Sequence, residues 1–418
     1  MNREADSCGK YWLLATDTDV GAARVNTECY TSPEVYRAEC ERIFRRVWLL
    51  VGRESEIAEA GDFIMRQIYP LKAEALIVRG KDQRIRAFHN VCPHRGSALV
   101  REEQGSKRLF VCPYHAWSYG TDGKCEAITA AEYFPDVDRE KIGLSPIHVD
   151  IWNGFLFLNF DQTPRQSLQE YLGGLGELYD EVPFHEFSHC IEMVHDINTN
   201  WKCLQDNFVE TYHLGVLHRK TLPAVSTPTN PHNILYDGQF FPPHCSSITP
   251  ANPEWAPTAN VLKFLAEMAG RDRQRAKESG ESRPKTRLRD CKGVDPHQLP
   301  QFYVRALNIF PATQVEIFAS RYHVLSFWPL ETGKTRFVIR IYTRAAPDSY
   351  FRQFTEAHML AAVRDVLCED ICTTESQQLA FQSGALSHLY VGENEPQIRF
   401  IHQMIESYLK HQTVSPAS

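Results

Sequence analysis

The chain has 418 residues, enough for two domains that each bury a core of their own. Its net charge of −7 excludes a surface built to grip nucleic acid, which needs concentrated Lys and Arg. No apolar run approaches the length of a bilayer span, residues 47–51 being too short, so a membrane protein is not expected. The polar start, with Glu4 and Asp6, reads as neither a signal peptide nor a transit peptide. A reducing cytoplasm is therefore the expected compartment, with most of the twelve cysteines serving as small core residues.

Residues 1–47 read as an arm followed by a helix. Residues 1–31 carry little pattern, whereas Ser32-Pro33-Glu34 supplies a capping hydroxyl, a first-turn proline and an early acid for a helix running to about Arg46. Residues 48–161 change to short β-type segments at 75–78, 85–87, 109–111 and 154–158, with turn residues at 80–82 and 122–123. A small all-β domain follows from that pattern.

Within it, Cys92-Pro93-His94 is separated by 17 residues from Cys112-Pro113-Tyr114-His115. A zinc finger groups two cysteines and then two histidines, but here each cysteine has its own histidine close behind it. Two such loops can face each other across a [2Fe–2S] cluster, with Cys92 and Cys112 on one iron and His94 and His115 on the other. Neutral imidazoles remove negative charge from the cluster and raise its potential. A structural zinc site is the competing reading; it predicts a colourless protein.

Residues 162–418 are mixed. A helix is expected at 167–179. Residues 225–300 are rich in Pro, Ser, Asn and charge around one helix near 261–269, and read as a lid-like insertion. The basic stretch 271–292 is broken by four acids and reads as a solvated segment. Strands are expected at 315–318, 322–328 and 335–342, the last two joined by a turn at 331–334, and long helices at 349–381 and 395–409. Antiparallel strands with long helices make this domain α+β.

The second domain holds another constellation. Asn200-Trp201-Lys202 leads into Asp206-Asn207-Phe208-Val209-Glu210-Thr211-Tyr212-His213, with His218 beyond. On a helix Glu210 and His213 share a face. His213 and His218 would stand about 140° apart on an ideal helix, so both reach one metal only if the helix ends or loosens, for which Gly215 is suited. Two imidazoles and one carboxylate form the facial triad of non-haem iron oxygenases. Asp370, among Leu367, Cys368, Ile371 and Cys372 on an expected core helix, is the best third ligand, because burying a lone carboxylate is costly; Glu369 competes for the role. Asn207 stands near this centre, as a position close to the iron or as a capping group. Trp201 reads as core packing. Phe318, Phe327, Trp328 and Tyr342 form either a cation-binding aromatic pocket or an ordinary core stripe.

These motifs resemble the catalytic (α) subunit of Rieske non-haem iron oxygenases. The resemblance rests on Cys-Pro-His-Arg-Gly at 92–96, Cys-Pro-Tyr-His-x-Trp at 112–117, the run at 200–218 and the Glu-Asp pair with its downstream Gln at 369–377. It implies a Rieske domain and a helix-grip catalytic domain. It also implies a cluster on Cys92, His94, Cys112 and His115, and mononuclear Fe(II) on His213, His218 and Asp370. Ala116 stands where the family more often has Gly. Glu210 occupies the position of the family's bridging acid, through which one subunit's His115 passes electrons to the next subunit's iron, so a homotrimer is implied. Glutamate at that position is similar to the branch that oxidises carnitine, choline and glycine betaine.

The function expected is a terminal oxygenase that uses O2 to hydroxylate a small organic molecule. Electrons from NAD(P)H would arrive through a separate reductase, alone or with a ferredoxin, because the chain has no dinucleotide fingerprint. Monooxygenation of a quaternary ammonium compound, with N-dealkylation or C–N cleavage as the outcome, is favoured by Glu210. Dioxygenation of an aromatic or polycyclic hydrophobe is favoured by the long 225–300 segment. An electron carrier joined to a ligand-binding domain is the alternative from another class, and predicts no iron beyond the cluster.

Overall fold

The computed structural model describes residues 20–225, 236–252, 255–257, 259–264, 287–300 and 302–410. Residues 1–19 of the expected arm, 265–269 of the helix expected near 261–269, and 271–286 of the basic stretch lie outside the described residues. The chain forms two compact units, one of Tyr36–Gly176 with residues 408–410 and one of residues 20–35 with Glu177–Ser407. Among the described residues no helix is long and apolar enough to cross a membrane.

The helix expected to reach Arg46 is regular only over Pro33–Glu39, where the Ser32 hydroxyl accepts from the Val35 amide at 3.2 Å. It continues as a π-turn, Cys40–Phe44, because the Arg45 amide reaches back five residues to the Cys40 carbonyl. That extra residue per turn accompanies the complete burial of both Ile43 and Phe44.

The Tyr36–Gly176 unit is β-structured. Its seven-stranded antiparallel sheet runs, in spatial order, Leu49–Arg53, Phe155–Asn159, Pro146–Trp152, Ile85–His89, Ala73–Arg79, Asp62–Ile68 and Gln104–Ser106. A three-stranded sheet, Leu109–Val111, Ser118–Gly120 and Cys125–Ala127, stands beside it. Between these sheets a buried cluster includes Phe63, Leu76, Phe110 and Tyr119 together with Cys92 and Cys112. The cysteines are thus fixed from behind by a packed core.

The other unit is built on a seven-stranded antiparallel sheet. Its spatial order is His189–Ile197, Lys334–Thr343, Tyr322–Glu331, Thr313–Phe318, Phe302–Ile309, His244–Pro250 and Tyr236–Phe241. Strands expected from the sequence form its middle; the strands at 189–197, 236–241, 244–250 and 302–309 were not expected. Along His189–Ile197 burial alternates, and outward Glu192 and Asp196 pair across the sheet with Arg340 and Arg336 at 2.6 and 2.7 Å. Residues 24–31, expected to be weakly structured, supply the strand Arg24–Asn26, paired with His388–Tyr390, and a helical turn, Glu28–Thr31.

Two long helices complete this unit, Tyr350–Gln382 and, as far as Ser407, Pro396–Lys410. The first is capped by the Ser349 hydroxyl, which accepts from the Arg352 amide at 3.3 Å. Its buried side chains, Leu367, Asp370, Thr374, Gln378 and Phe381, recur every three or four residues and mark one face. That face packs on the short helix Trp201–Phe208, in which Trp201 is wholly buried core. The architecture is α+β, with an all-β unit and an antiparallel sheet gripping long helices, as the sequence reading implied.

Candidate metal centres

The two Cys/His loops are built alike. The Gly96 amide donates to the Cys92 carbonyl at 2.9 Å, and the Ala116 amide to the Cys112 carbonyl at 3.0 Å. The Cys92 and Cys112 amides in turn donate to the carbonyls of Ser97 and Trp117, each at 2.8 Å. Closing such tight loops puts the fifth residue in the left-handed region, with φ of +76° at Gly96 and +58° at Ala116. Glycine takes this conformation freely and alanine does not, so the Ala116 loop carries backbone strain.

The four candidate ligands converge. The ring centroids of His94 and His115 are 4.7 Å apart, and His94 stacks on buried Trp117 at 4.6 Å with a 6° interplanar angle. Nδ1 of each histidine is buried with no hydrogen-bond partner, a costly arrangement that a metal bond removes. The Tyr119 hydroxyl lies 3.1 Å from Cys92 Sγ. Burial works against both thiolates; it raises the pKa of Cys92, while the amides of Tyr114 and His115 outweigh it at Cys112 and lower that pKa. Two thiolate-capable sulfurs and two unpartnered imidazole nitrogens fit a [2Fe–2S] cluster.

In the other unit the helix ends at Phe208, so Glu210 and His213 do not share a helix as expected. Residues beyond Val209 turn back in tight bends, and this brings both imidazoles to Asp370 on the long helix. His218 Nε2 lies 2.8 Å from Asp370 Oδ1 and His213 Nε2 lies 3.8 Å from the same oxygen. One donor atom from each of the three residues falls within 4.8 Å of the others. Asp370 and His218 are 2% and 1% exposed, which makes an uncompensated carboxylate there costly and a cation welcome.

Each imidazole is held by a glutamate on its far side. His218 Nδ1 donates to Glu369 Oε2 at 2.7 Å, and the Thr221 hydroxyl donates to the same oxygen at 2.6 Å. His213 Nδ1 donates to Glu210, which also accepts from the His213 amide at 3.3 Å. With both Nδ1 atoms occupied, both Nε2 lone pairs are left for a metal. Glu369, the competitor for the third ligand position, therefore faces the wrong nitrogen of His218. Asn207 Nδ2 donates to Asp370 Oδ1 at 2.8 Å and orients that carboxylate rather than capping a helix start. Burial lowers the His218 pKa, but Asp370 and Glu369 outweigh it and raise it, so a metal here competes with a proton for Nε2.

Residues 184–411, more than half of the chain, match the family model of the ring hydroxylating alpha subunit (catalytic domain), and residues 47–138 match the Rieske [2Fe-2S] domain. The chain belongs to the ring-hydroxylating α-subunit family. It is 34% identical to the carnitine monooxygenase oxygenase subunit of Acinetobacter baumannii over 191 residues, 45% of this chain and 51% of that protein. It is 31% identical to the anthranilate 1,2-dioxygenase large subunit of Acinetobacter baylyi over 211 residues, 49% of this chain and 44% of that one. The chain thus spans about half the length of the curated relatives it matches. Its fold is similar to the quaternary ammonium Rieske monooxygenase CntA in complex with L-carnitine. The TM-score is 0.71 at 22% identity, covering 92% of this chain and 95% of that one. Naphthalene 1,2-dioxygenase from Rhodococcus shares the fold at a TM-score of 0.72 and 20% identity, over 94% and 95% of the two chains.

As a ring-hydroxylating α subunit, the protein uses a Rieske cluster and mononuclear iron, and both donor sets described above suit those groups. A cavity of about 230 Å³ adjoins the candidate iron ligands. Its walls are largely apolar, with Leu214, Leu222, Val225, Leu325 and Val363 among them, but Glu316, Arg321 and His323 also line it. Of the four aromatics considered for a cation pocket, Phe318 lines this cavity; Phe327 stacks on Phe337 at 5.1 Å and Tyr342 on Tyr322 at 4.7 Å as core.

Sequence reasoning missed one buried polar group behind this centre. The Tyr30 hydroxyl donates to Asp206 Oδ2 at 2.6 Å, and His402 Nε2 lies 3.0 Å from the same oxygen. Asp206 precedes Asn207 and so anchors the end of the helix that steadies Asp370. The acid was visible in the motif; its partners, far away in the chain, were not.

Proposed function

We propose that this protein is the terminal oxygenase of a multicomponent system that hydroxylates a small organic molecule with O2. Cys92, His94, Cys112 and His115 hold the cluster, and His213, His218 and Asp370 hold the iron. The observation that carries this reading is the convergence of two Nε2 atoms and a buried carboxylate at the wall of an apolar cavity. When bound, the iron supplies a redox centre for O2, fed with single electrons by a cluster.

The protein's own groups do the rest. Glu210 and Glu369 fix the tautomers of His213 and His218, and Asn207 aims Asp370. The apolar cavity wall limits water around the reacting carbon. Glu210 is also the bridging acid toward His115 of a neighbouring subunit in a homotrimer. A separate reductase draws electrons from NAD(P)H, and the system works in the cytoplasm.

Monooxygenation of a quaternary ammonium compound is the favoured reaction. It is supported by a glutamate at the bridging position and by similarity to carnitine and choline monooxygenases, the latter from Spinacia oleracea at 32% identity over 195 residues. The test is turnover of the loaded protein with a reductase, reading formaldehyde or aldehyde release against cis-diol formation from aromatic substrates. Aldehyde release coupled to substrate loss supports the reading; cis-diol as the sole product rejects it in favour of aromatic dioxygenation.

A further inference from the structure

Arg321 lies in the turn between the strands Thr313–Phe318 and Tyr322–Glu331, and its side chain lines the same cavity as the three candidate iron ligands. Its guanidinium is held on two sides. Nε donates to His323 Nε2 at 3.1 Å, and the group lies over the Phe318 ring, 4.2 Å from its centroid. Because His323 Nε2 accepts, its Nδ1 carries the proton and faces Glu316 Oε2 at 3.2 Å. The other Glu316 oxygen accepts from Gln314 at 3.1 Å. Glu316 therefore steadies the guanidinium through a neutral imidazole instead of pairing with it directly. Consistently, burial lowers the pKa of both His323 and Arg321.

Both Nη atoms remain. Among the described residues neither has a hydrogen-bond partner, and no carboxylate forms an ion pair with the group. A guanidinium fixed by two partners in the wall of a largely apolar cavity, with both Nη atoms unbonded, is suited to a planar oxyanion, which it can grip with two parallel bonds. The same geometry argues against a cation cage on Phe318, whose ring already carries the protein's own cation. Glu316 attracts this guanidinium without pairing with it, burial of the charge still outweighs that attraction, and a substrate anion offsets the cost.

We infer that Arg321 is a specificity-determining residue that binds a carboxylate group of the substrate through its two Nη atoms. This rests on the cavity being the substrate site of the proposed oxygenase. If the substrate is a quaternary ammonium compound, it is then a zwitterion carrying a carboxylate and not a simple amino alcohol.

The test is calorimetric titration of the full-length protein loaded with cluster and iron. Two probe pairs are used, γ-butyrobetaine against its methyl ester and benzoate against methyl benzoate, each ester removing the negative charge alone. At least one acid should bind about thirtyfold or more tightly than its ester. Arg321→Gln should reduce that preference to within about threefold while leaving the ester's affinity and the iron content unchanged. Arg321→Lys should recover part of it, because charge remains and the fork is lost. Equal binding of acid and ester in both pairs overturns the inference, and this arm needs no variant to fold. So does a preference that survives in Arg321→Gln. The oxygenase reading is judged separately. An Arg321-dependent preference without any oxygenated product would sink that reading and leave the carboxylate site standing, whereas turnover with indifference to the carboxylate would do the reverse.

Discussion

Removing the side chain of Glu369 separates the two acids at the iron centre. Glu369→Ala deletes the acceptor for His218 Nδ1 at 2.7 Å and for Thr221 at 2.6 Å, but leaves His213, His218 and Asp370 in place. Losing such an outer partner typically weakens metal binding by about 10- to 100-fold, roughly 1.4–2.7 kcal/mol. The Glu369 side chain is 30% exposed, so water can partly replace it, and the lower end, about tenfold, is expected. Asp370→Ala removes the proposed carboxylate ligand, whose side chain is only 4% exposed, where water cannot take over, and should abolish stable iron binding. The assay is iron retained per chain during dialysis against graded concentrations of a ferrous chelator. The EPR signal of the cluster, held by residues of the other unit, serves as the internal control. Complete iron loss in Glu369→Ala with retention in Asp370→Ala would refute the assignment.

Glu210→Gln should keep both metals, since Gln can still accept from His213, yet stop turnover; unchanged activity would remove Glu210 from electron transfer. Ala116→Gly should stabilise the cluster-bearing unit. It relieves a left-handed residue worth about 1–2 kcal/mol against about 0.5–1 kcal/mol of added chain entropy, and a fall in the denaturation midpoint would contradict this. Burial opposes the imidazolium of His402, but Asp206 outweighs it and raises the pKa from 6.5 to about 10. The folded protein then holds a proton that the unfolded chain releases. This contribution to stability is therefore complete below about pH 6.5 and is lost as pH rises toward 10, at up to about 1.4 kcal/mol per pH unit. Urea unfolding of His402→Gln should lose that slope; an unchanged slope would place the titration elsewhere.

Much of both candidate centres was legible because the residues proposed as ligands come in short runs with fixed chemistry. Cys92 to His115 and Glu210 to His218 can each be read without knowing the fold. Asp370 was reached only through the cost of burying an acid, and its neighbour Glu369 could not be dismissed, because nothing local says which carboxylate faces which nitrogen. The long helix was legible as an extended helical stretch over 349–381. The strand His189–Ile197 carries a readable alternation, whereas His244–Pro250 does not, since Ser and Pro are poor strand formers held there by pairing with Phe302–Ile309. Arg321 acquired meaning only when the sheet placed Phe318, His323 and Glu316 around it.

The helix Tyr350–Gln382 has a consequence for how this cavity can diversify. Met359, Ala362, Val363 and Val366 form cavity wall, Asp370 faces the two imidazoles, and Gln378 ties the helix to the Asn200 amide at 2.9 Å. Wall and ligand thus share one rod, about 16 Å from residue 359 to residue 370. Inserting a single residue between them would swing the wall by about 100° relative to Asp370. Changes of chain length must therefore fall in loops, and along this wall new substrates are open only to exchanges of side chain.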